Sequence, residues 1–200
     1  MSILPIQGSR RQASMFLSNK PLIDLLRNRF NPEQAKLIPT HVTLCREDEV
    51  KDWSRLVSRI RDLPLVQITM AFGTAVRDGN LVFLPVVGGR EQFDELRNYL
   101  LGNGTSRPRK HSPHATIVHA RNRTCTDEEF AEILAKIQPF TTALHEIALI
   151  EQFGSGPWSP FARFGASLDN LEVKSIHGGH PLCQRPLPSD RLLRFPQGCT

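Results

Sequence analysis

The chain has 200 residues, of which 40% are hydrophobic and 22% are charged. This balance is typical of a soluble globular protein large enough for one substantial core, and it excludes a low-complexity or membrane-embedded chain. The 25 Lys and Arg outnumber the 20 Asp and Glu and give a formal net charge of +5, which favours anionic ligands but is below the charge density of a dedicated nucleic-acid-binding domain.

The cysteine pattern favours a reducing compartment. Cys45, Cys125, Cys183 and Cys199 are widely scattered and form no C-x-x-C pair, which disfavours a disulfide framework. The N-terminus lacks the apolar core of a signal sequence, and no stretch reaches the roughly 18 apolar residues of a membrane span. We therefore expect a cytoplasmic, monomeric protein that does not associate with membranes.

The first half of the chain alternates strand and helix patterns. Apolar alternation with β-branched residues predicts strands, and apolar residues at helical spacing predict helices, with Pro39 and Pro64 as breaks. The predicted order is a strand, a helix, a strand, a helix and a strand, at residues 13–17, from residue 21, 41–45, 48–63 and 66–72.

The second half repeats this order of elements. Hairpin-turn chemistry at residues 77–80 precedes a strand, and a capping-box pattern begins at Thr126. The predicted strands are 81–87, 114–118, 143–150 and 161–168, and the predicted helices follow residue 89 and residue 126. The shared order predicts an internal duplication with two pseudo-symmetric lobes.

The last part of the chain has a different composition. Pro and Gly interrupt residues from about 170 onward, and apolar periodicity is weak there. We therefore predict one bilobal domain over residues 1–168 and a Pro/Gly-rich C-terminal tail over residues 169–200. His177, His180 and Cys183 in this tail lack a fourth ligand, so we predict no metal site.

One motif occurs twice. Of the seven histidines, only His41 and His114 are followed by Thr two positions later and by an aliphatic residue at the third. Two such matches would arise by chance at roughly one in a few hundred. A single strand histidine is more often a hydrogen-bonded structural residue than a catalyst, but the matched pair reverses that preference in favour of function.

The motif suits phosphoryl chemistry. Strand alternation places His41 with Thr43, and His114 with Thr116, on one face. One neutral imidazole can take a proton from a nucleophile and one imidazolium can give a proton to the leaving oxygen. The Thr hydroxyls can donate to phosphate oxygens as charge develops. Such a site needs no metal and no cofactor.

His41-Val42-Thr43-Leu44 and His114-Ala115-Thr116-Ile117, with the lead-ins Ile38-Pro39-Thr40 and Ser112-Pro113, resemble the paired signatures of the 2H phosphoesterase superfamily. The similarity is greatest to its branch of 2'-5' RNA ligase-like proteins and cyclic nucleotide phosphodiesterases, and it covers about residues 10–168. It implies an α+β, bilobal, pseudo-symmetric fold with two antiparallel sheets facing a central cleft and helices outside.

The resemblance also implies a function and assigns residues to it. His41 and His114 would be catalytic, and Thr43 and Thr116 would bind phosphate. The implied enzyme is a metal-independent hydrolase of RNA processing that opens 2',3'-cyclic phosphates of RNA ends or nucleotides, with a reverse 2'-5' RNA ligase reaction. The tail has no counterpart in this family.

Several alternatives stay open at this stage. A cleft that binds a nucleotide or an RNA end with little or no turnover would carry the same motifs. Within the enzyme class, 2'-5' oligonucleotides, ADP-ribose cyclic phosphate and linear RNA ends are all compatible with the sequence. The sequence also does not distinguish which histidine is the acid and which is the base.

Other residues are secondary candidates for substrate binding. Arg109 and Lys110 lie in a basic run that could guide an anionic strand, and Trp158 and Phe161 could stack on a base. Arg46 follows the first motif, but simple strand alternation places it on the face opposite the catalytic side chains.

Overall fold

The computed structural model describes residues 8–63, 66–102 and 112–165, which contain nine strands and five helices. The strands are β1 (Ser9–Phe16), β2 (His41–Arg46), β3 (Ile68–Phe72), β4 (Val76–Asp78), β5 (Leu81–Gly88), β6 (His114–Val118), β7 (Phe140–Leu144), β8 (Glu146–Phe153) and β9 (Trp158–Gly165). The helices are α1 (Pro21–Phe30), α2 (Pro32–Leu37), α3 (Trp53–Arg61), α4 (Arg90–Leu101) and α5 (Asp127–Lys136).

The strands form a curled antiparallel sheet in the order β7-β3-β5-β6-β2-β1-β8-β9, with β4 paired to the outer part of β5. Lobe one contains β2, β1, β8 and β9, and lobe two contains β7, β3, β5 and β6. The lobes join where Val42 of β2 pairs with Ala115 of β6. The predicted α+β, bilobal fold is confirmed, with its two four-stranded antiparallel sheets continuous through β2 and β6.

Local sequence explains why the helices begin where they do. The side chain of Asp52 caps α3 by accepting from the backbone N–H of Arg55 at 3.0 Å. Thr126 and Glu129 form the predicted capping box at the start of α5. Each cap satisfies backbone donors that have no partner within the helix. Gly89 precedes α4 at φ 78°, where a Cβ atom would lie 2.0 Å from the Thr69 carbonyl oxygen.

One hydrophobic core joins helices and strands from both lobes. The predicted apolar positions of α4 are buried in it, including Phe93, Leu96 and Leu100. A second small cluster consists of Ile38, Ala148 and Ile150, with Phe16 and Trp158 packed against it. Apolar side chains of lobe one are therefore buried in two separate places.

The prediction of one strand over residues 143–150 is wrong. β7 ends at Leu144 and β8 begins at Glu146, with His145 between them. β7 pairs with β3 in lobe two, whereas β8 pairs with β1 and β9 in lobe one. The chain therefore passes from one lobe to the other at His145, and a continuous apolar pattern does not reveal that change of partner.

Within the described ranges, no helix is both long enough and apolar enough to cross a membrane. The predicted C-terminal tail, together with His177, His180 and Cys183, lies outside the described residues.

Candidate active site

The two motifs lie side by side at the centre of the sheet. Val42 and Ala115 pair directly and are fully buried. Alternate residues of a strand face opposite ways. The His and Thr on either side of Val42 and of Ala115 therefore point to the opposite face of the sheet. All four predicted residues line one cleft there: His41, Thr43, His114 and Thr116.

Both motif histidines make the same contact with the residues that precede them. Nδ1 of His41 is 2.9 Å from the carbonyl oxygen of Pro39, and Nδ1 of His114 is 2.8 Å from that of Ser112. Because a carbonyl oxygen only accepts, Nδ1 must carry the proton in each neutral ring. Nε2 of each ring is then the nitrogen that can accept a proton.

Aromatic side chains also flank the two rings. The ring of Phe16 meets His41 edge-on at 6.3 Å between centroids, and Phe83 meets His114 edge-on at 5.1 Å. These contacts restrict the orientation of each imidazole. The Nε2 atom of Gln12 lies 3.5 Å from Nε2 of His41.

The environment of His41 favours its neutral form. Burial lowers the pKa of His41 from 6.5 to about 4, against the opposing effect of the Pro39 carbonyl. The positive charge of Arg27 and the neighbouring His114 and His119 lower the pKa of His41 further. His41 is therefore neutral at physiological pH.

Arg27 holds the chain segment that leads into the first motif. Its side chain is buried, and it donates from Nη1 to Thr40 Oγ1 at 2.9 Å and from Nη2 to the Ile38 carbonyl at 2.7 Å. Thr40 in turn donates to Asp24 Oδ1 at 2.8 Å. Burial lowers the pKa of Arg27, and the nearby Asp24 carboxylate opposes this effect. The segment before His41 is thus fixed by a buried polar network.

The cleft is strongly basic. Among the described residues, its lining contains five arginines and one acidic residue, Glu47. The charge of Arg11 is balanced by Glu151, whose Oε1 lies 2.9 Å from the Arg11 Nε. Arg46 is paired with Asp48, whose Oδ1 lies 3.5 Å from the Arg46 Nε, and the remaining arginines of the lining are Arg10, Arg27 and Arg121. This excess of positive charge favours an anionic ligand.

Arg46 lines the same cleft as the motif residues, so its predicted placement on the opposite face is wrong. Ala13 of β1 pairs with Cys45 and Ser14 pairs with Thr43, which leaves Leu44 as an extra residue on β2. Such a β-bulge resets the alternation of side chains. Arg46 consequently lies on the cleft face, whereas regular alternation would place it on the opposite face.

The other secondary candidates have different positions. Trp158 lines the cleft, with the guanidinium of Arg10 5.4 Å from its ring centroid. Phe161 does not line it; its ring packs against the core and lies 5.0 Å from the guanidinium of Arg11. Arg109 and Lys110 lie outside the described residues.

Several residues of the cleft lining were not predicted from the sequence, among them Arg10, Gln12 and His119. Arg10 and Gln12 belong to β1, which begins at Ser9 and is longer than predicted. The alternation of polar Gln12 and Ser14 with apolar Ala13 and Met15 was the available signal for Gln12, but the charged Arg11 interrupts it before Arg10. His119 follows β6, and a second bulge places it in the cleft.

Within the described residues, no group of three or more His, Cys, Asp or Glu side chains is placed to hold a metal ion. The described lining offers imidazole, hydroxyl, guanidinium and amide groups and the carboxylate of Glu47.

Comparison with known proteins assigns the fold. The crystal structure of E. coli LigT complexed with ATP has 17% sequence identity and a TM-score of 0.54, covering 78% of this chain and 97% of LigT. E. coli LigT complexed with NADP+ has 19% identity and a TM-score of 0.53, with the same coverage. The apo form of LigT has 18% identity and a TM-score of 0.54, covering 78% and 96%. At these identities the likeness shows a shared fold.

The family is shown by sequence. No curated protein matches the chain. The sequence model of the 2'-5' RNA ligase superfamily matches residues 17–156, which is more than half of the chain and includes both H-x-T motifs. This protein therefore belongs to the 2'-5' RNA ligase superfamily, in agreement with the resemblance of its motifs to 2H phosphoesterases.

Proposed function

We propose that this protein is a phosphodiesterase that opens 2',3'-cyclic phosphates of RNA ends or nucleotides by two-histidine acid–base catalysis without a metal or cofactor. One observation carries this proposal. Two histidines line one basic cleft, and a backbone carbonyl fixes Nδ1 of each, so that both rings can use Nε2 for proton transfer.

His41 is the base in hydrolysis. Its lowered pKa, about 4, keeps it neutral, so Nε2 can remove a proton from the attacking water. The water oxygen forms a new bond to phosphorus, and one of the two ester P–O bonds of the cyclic phosphate breaks. His114 gives a proton from Nε2 to the departing ribose oxygen, and the product is a nucleoside monophosphate.

Thr43 and Thr116 bind the phosphate. Each lies two residues after a motif histidine and lines the cleft. Their hydroxyls donate to the non-bridging oxygens, where negative charge increases as the new bond forms. A ribose hydroxyl in place of the water would give ligation: His41 takes its proton, its oxygen bonds to phosphorus, and the ring P–O bond breaks as His114 gives a proton to the departing ribose oxygen.

Other residues are proposed to contact the substrate beyond the phosphate. Arg46 supplies a positive charge, and Trp158 stacks on a base with Arg10 on its ring. Arg109 and Lys110 guide the anionic strand. Related LigT structures were determined with ATP and with NADP+, which supports a nucleotide as the ligand. We further propose a monomer that acts in RNA processing in the cytoplasm, with its activity contained in residues 1–168.

Steady-state hydrolysis of 2',3'-cyclic AMP tests this function. We expect His41→Ala and His114→Ala each to lower kcat about 10²- to 10⁴-fold, the range for general acid–base groups. His145→Ala is the matched control, because His145 lies at the junction of β7 and β8 and does not line the cleft.

Binding measurements distinguish catalysis from simple recognition. If the double variant His41→Ala/His114→Ala bound 2',3'-cyclic AMP more weakly but the wild-type protein did not hydrolyse it, the cleft would be a binding module.

We expect Thr43→Ala and Thr116→Ala to lower kcat about 10-fold or more, because each removes one donor to the developing charge.

A further inference from the structure

Both motif strands contain a β-bulge at the same position. On β2 the extra residue is Leu44, as described above. On β6, Val118 pairs with Val82 and Thr116 with Phe83, which leaves Ile117 as the extra residue. Leu44 and Ile117 each stand three positions after a motif histidine, and both are fully buried.

The two bulges place a second pair of equivalent positions, one from each lobe, on the cleft face. Five positions after each motif histidine, the chain returns to the cleft face, at Arg46 in lobe one and at His119 in lobe two. The pair is asymmetric in charge. Arg46 carries a guanidinium, whereas His119 carries a third cleft imidazole, for which the two-histidine mechanism has no use.

Hydrogen bonds fix the orientation and the tautomer of His119. Its Nδ1 accepts from the backbone N–H of Arg121 at 3.1 Å, so in the neutral ring the proton must be on Nε2. The backbone N–H of His119 donates to Oδ1 of the buried Asn31 at 3.0 Å, and its carbonyl accepts from the N–H of Asn122 at 3.1 Å. This tautomer is the opposite of that in the two motif histidines.

His119 is also kept neutral. Burial lowers its pKa, and the charge of Arg121 and the neighbouring His114 lower that pKa further. A neutral imidazole with its proton on Nε2 is a hydrogen-bond donor at that atom and is not a base there.

We propose that His119 is a substrate-binding residue that donates from Nε2–H to a non-bridging oxygen of the substrate phosphate, as the lobe-two counterpart of Arg46. The inference rests on the proposed function for the identity of the ligand. In the cleft, two imidazoles exchange protons with the reacting oxygens, and the third holds the phosphoryl group. A hydrogen bond to a charged oxygen is stronger than one between neutral groups.

Two substitutions separate the nitrogen atoms of His119. The amide of Asn places an oxygen near the position of Nδ1, and the longer Gln places its NH₂ group near that of Nε2. His119→Asn therefore keeps the acceptor for Arg121 and removes the donor to the substrate. His119→Gln removes the acceptor and keeps the donor.

We would measure the affinity of both variants for 3'-AMP by calorimetry and their kcat/KM for 2',3'-cyclic AMP, with His145→Asn as the control. We expect His119→Asn to lose about 10-fold or more in both quantities, and His119→Gln to stay within about 3-fold of the wild type. The thermal midpoint of each variant confirms that it is folded.

The opposite order, or equal losses in the two variants, would overturn the inference, because the Nδ1 contact or the ring as a whole would then be the important feature. Wild-type affinity in His119→Asn would overturn it as well. Because 3'-AMP binding needs no turnover, this comparison holds even if the wild-type protein hydrolyses no cyclic phosphate.

Discussion

The buried ion pair between Arg97 and Glu49 provides a sharp test of how the first motif is held. The Arg97 and Glu49 side chains are 4% and 0% exposed. Nη1 of Arg97 lies 3.0 Å from Glu49 Oε2 and donates to the carbonyl of Leu44 at 2.6 Å. Glu49 Oε2 also accepts from the backbone N–H of Arg46 at 3.0 Å. The ion pair therefore holds both Leu44, which is the bulged residue, and Arg46, which the bulge places on the cleft face.

Removing one partner leaves the other charge buried without compensation. We expect Glu49→Ala to lower the free energy of unfolding by about 3–5 kcal/mol, the usual cost of breaking a buried pair. For a domain of this size that corresponds to a decrease of about 6–20 °C in the thermal midpoint. Replacing both partners, as Arg97→Met/Glu49→Ala, should cost about 1–3 kcal/mol, because the Leu44 carbonyl still loses its donor.

Urea denaturation of the single and double variants measures both quantities. Asp94→Ala is the matched control, because the pair between Arg90 and Asp94 has side chains that are 48% and 41% exposed and should contribute about 0.5 kcal/mol or less. If Glu49→Ala were no more destabilising than Asp94→Ala, the buried pair would not support the bulge.

Three other predictions concern the site and the tail. In the proposed mechanism side chains supply both proton transfers, so we expect chelator-treated protein to keep its full phosphodiesterase rate, and loss of activity that zinc or manganese restores would contradict this. We expect truncation after residue 169 to leave the thermal midpoint unchanged, since the tail has little apolar periodicity. A base with a pKa of about 4 is neutral above that pH, so the acidic limb of the kcat/KM profile should lie at about pH 4, and a separate alkaline limb should appear where the general acid loses its proton. An acidic limb near pH 6.5 would mean that His41 is not the base.

The order of the elements was predictable because each element has a local cause. Apolar spacing, prolines and the capping box at Thr126 act within a few residues, and the structure confirms the elements that they predict. The boundary at His145 was not predictable, because it depends on β7 and β8 having partners in different lobes. Pairing partners are set by contacts that are distant in the sequence.

The four motif residues of the candidate site were predictable because strand alternation acts over only three positions, from His41 to Thr43 and from His114 to Thr116. Alternation fails immediately afterwards. The residue that would next face the cleft stands four positions after each histidine, but bulges intervene. In lobe one the bulge is held by Arg97 and Glu49, which follow it by 53 and 5 positions. A rule that uses neighbouring residues alone therefore misplaces Arg46 and misses His119.

The bulges nevertheless have a local signature in both motifs. Each Thr is followed by two consecutive apolar residues, Leu44-Cys45 and Ile117-Val118, and all four are fully buried. In a regular strand with one polar face, two neighbouring residues cannot both point into the core. In the two motif strands the buried neighbours coincide with the extra residue that the pairing shows, whereas β8 buries Ile147 to Ile150 consecutively because its two faces meet two different clusters. The aliphatic position of the motif has a structural reason in this protein: it is the bulged residue, and its burial directs the fifth residue after each histidine into the cleft.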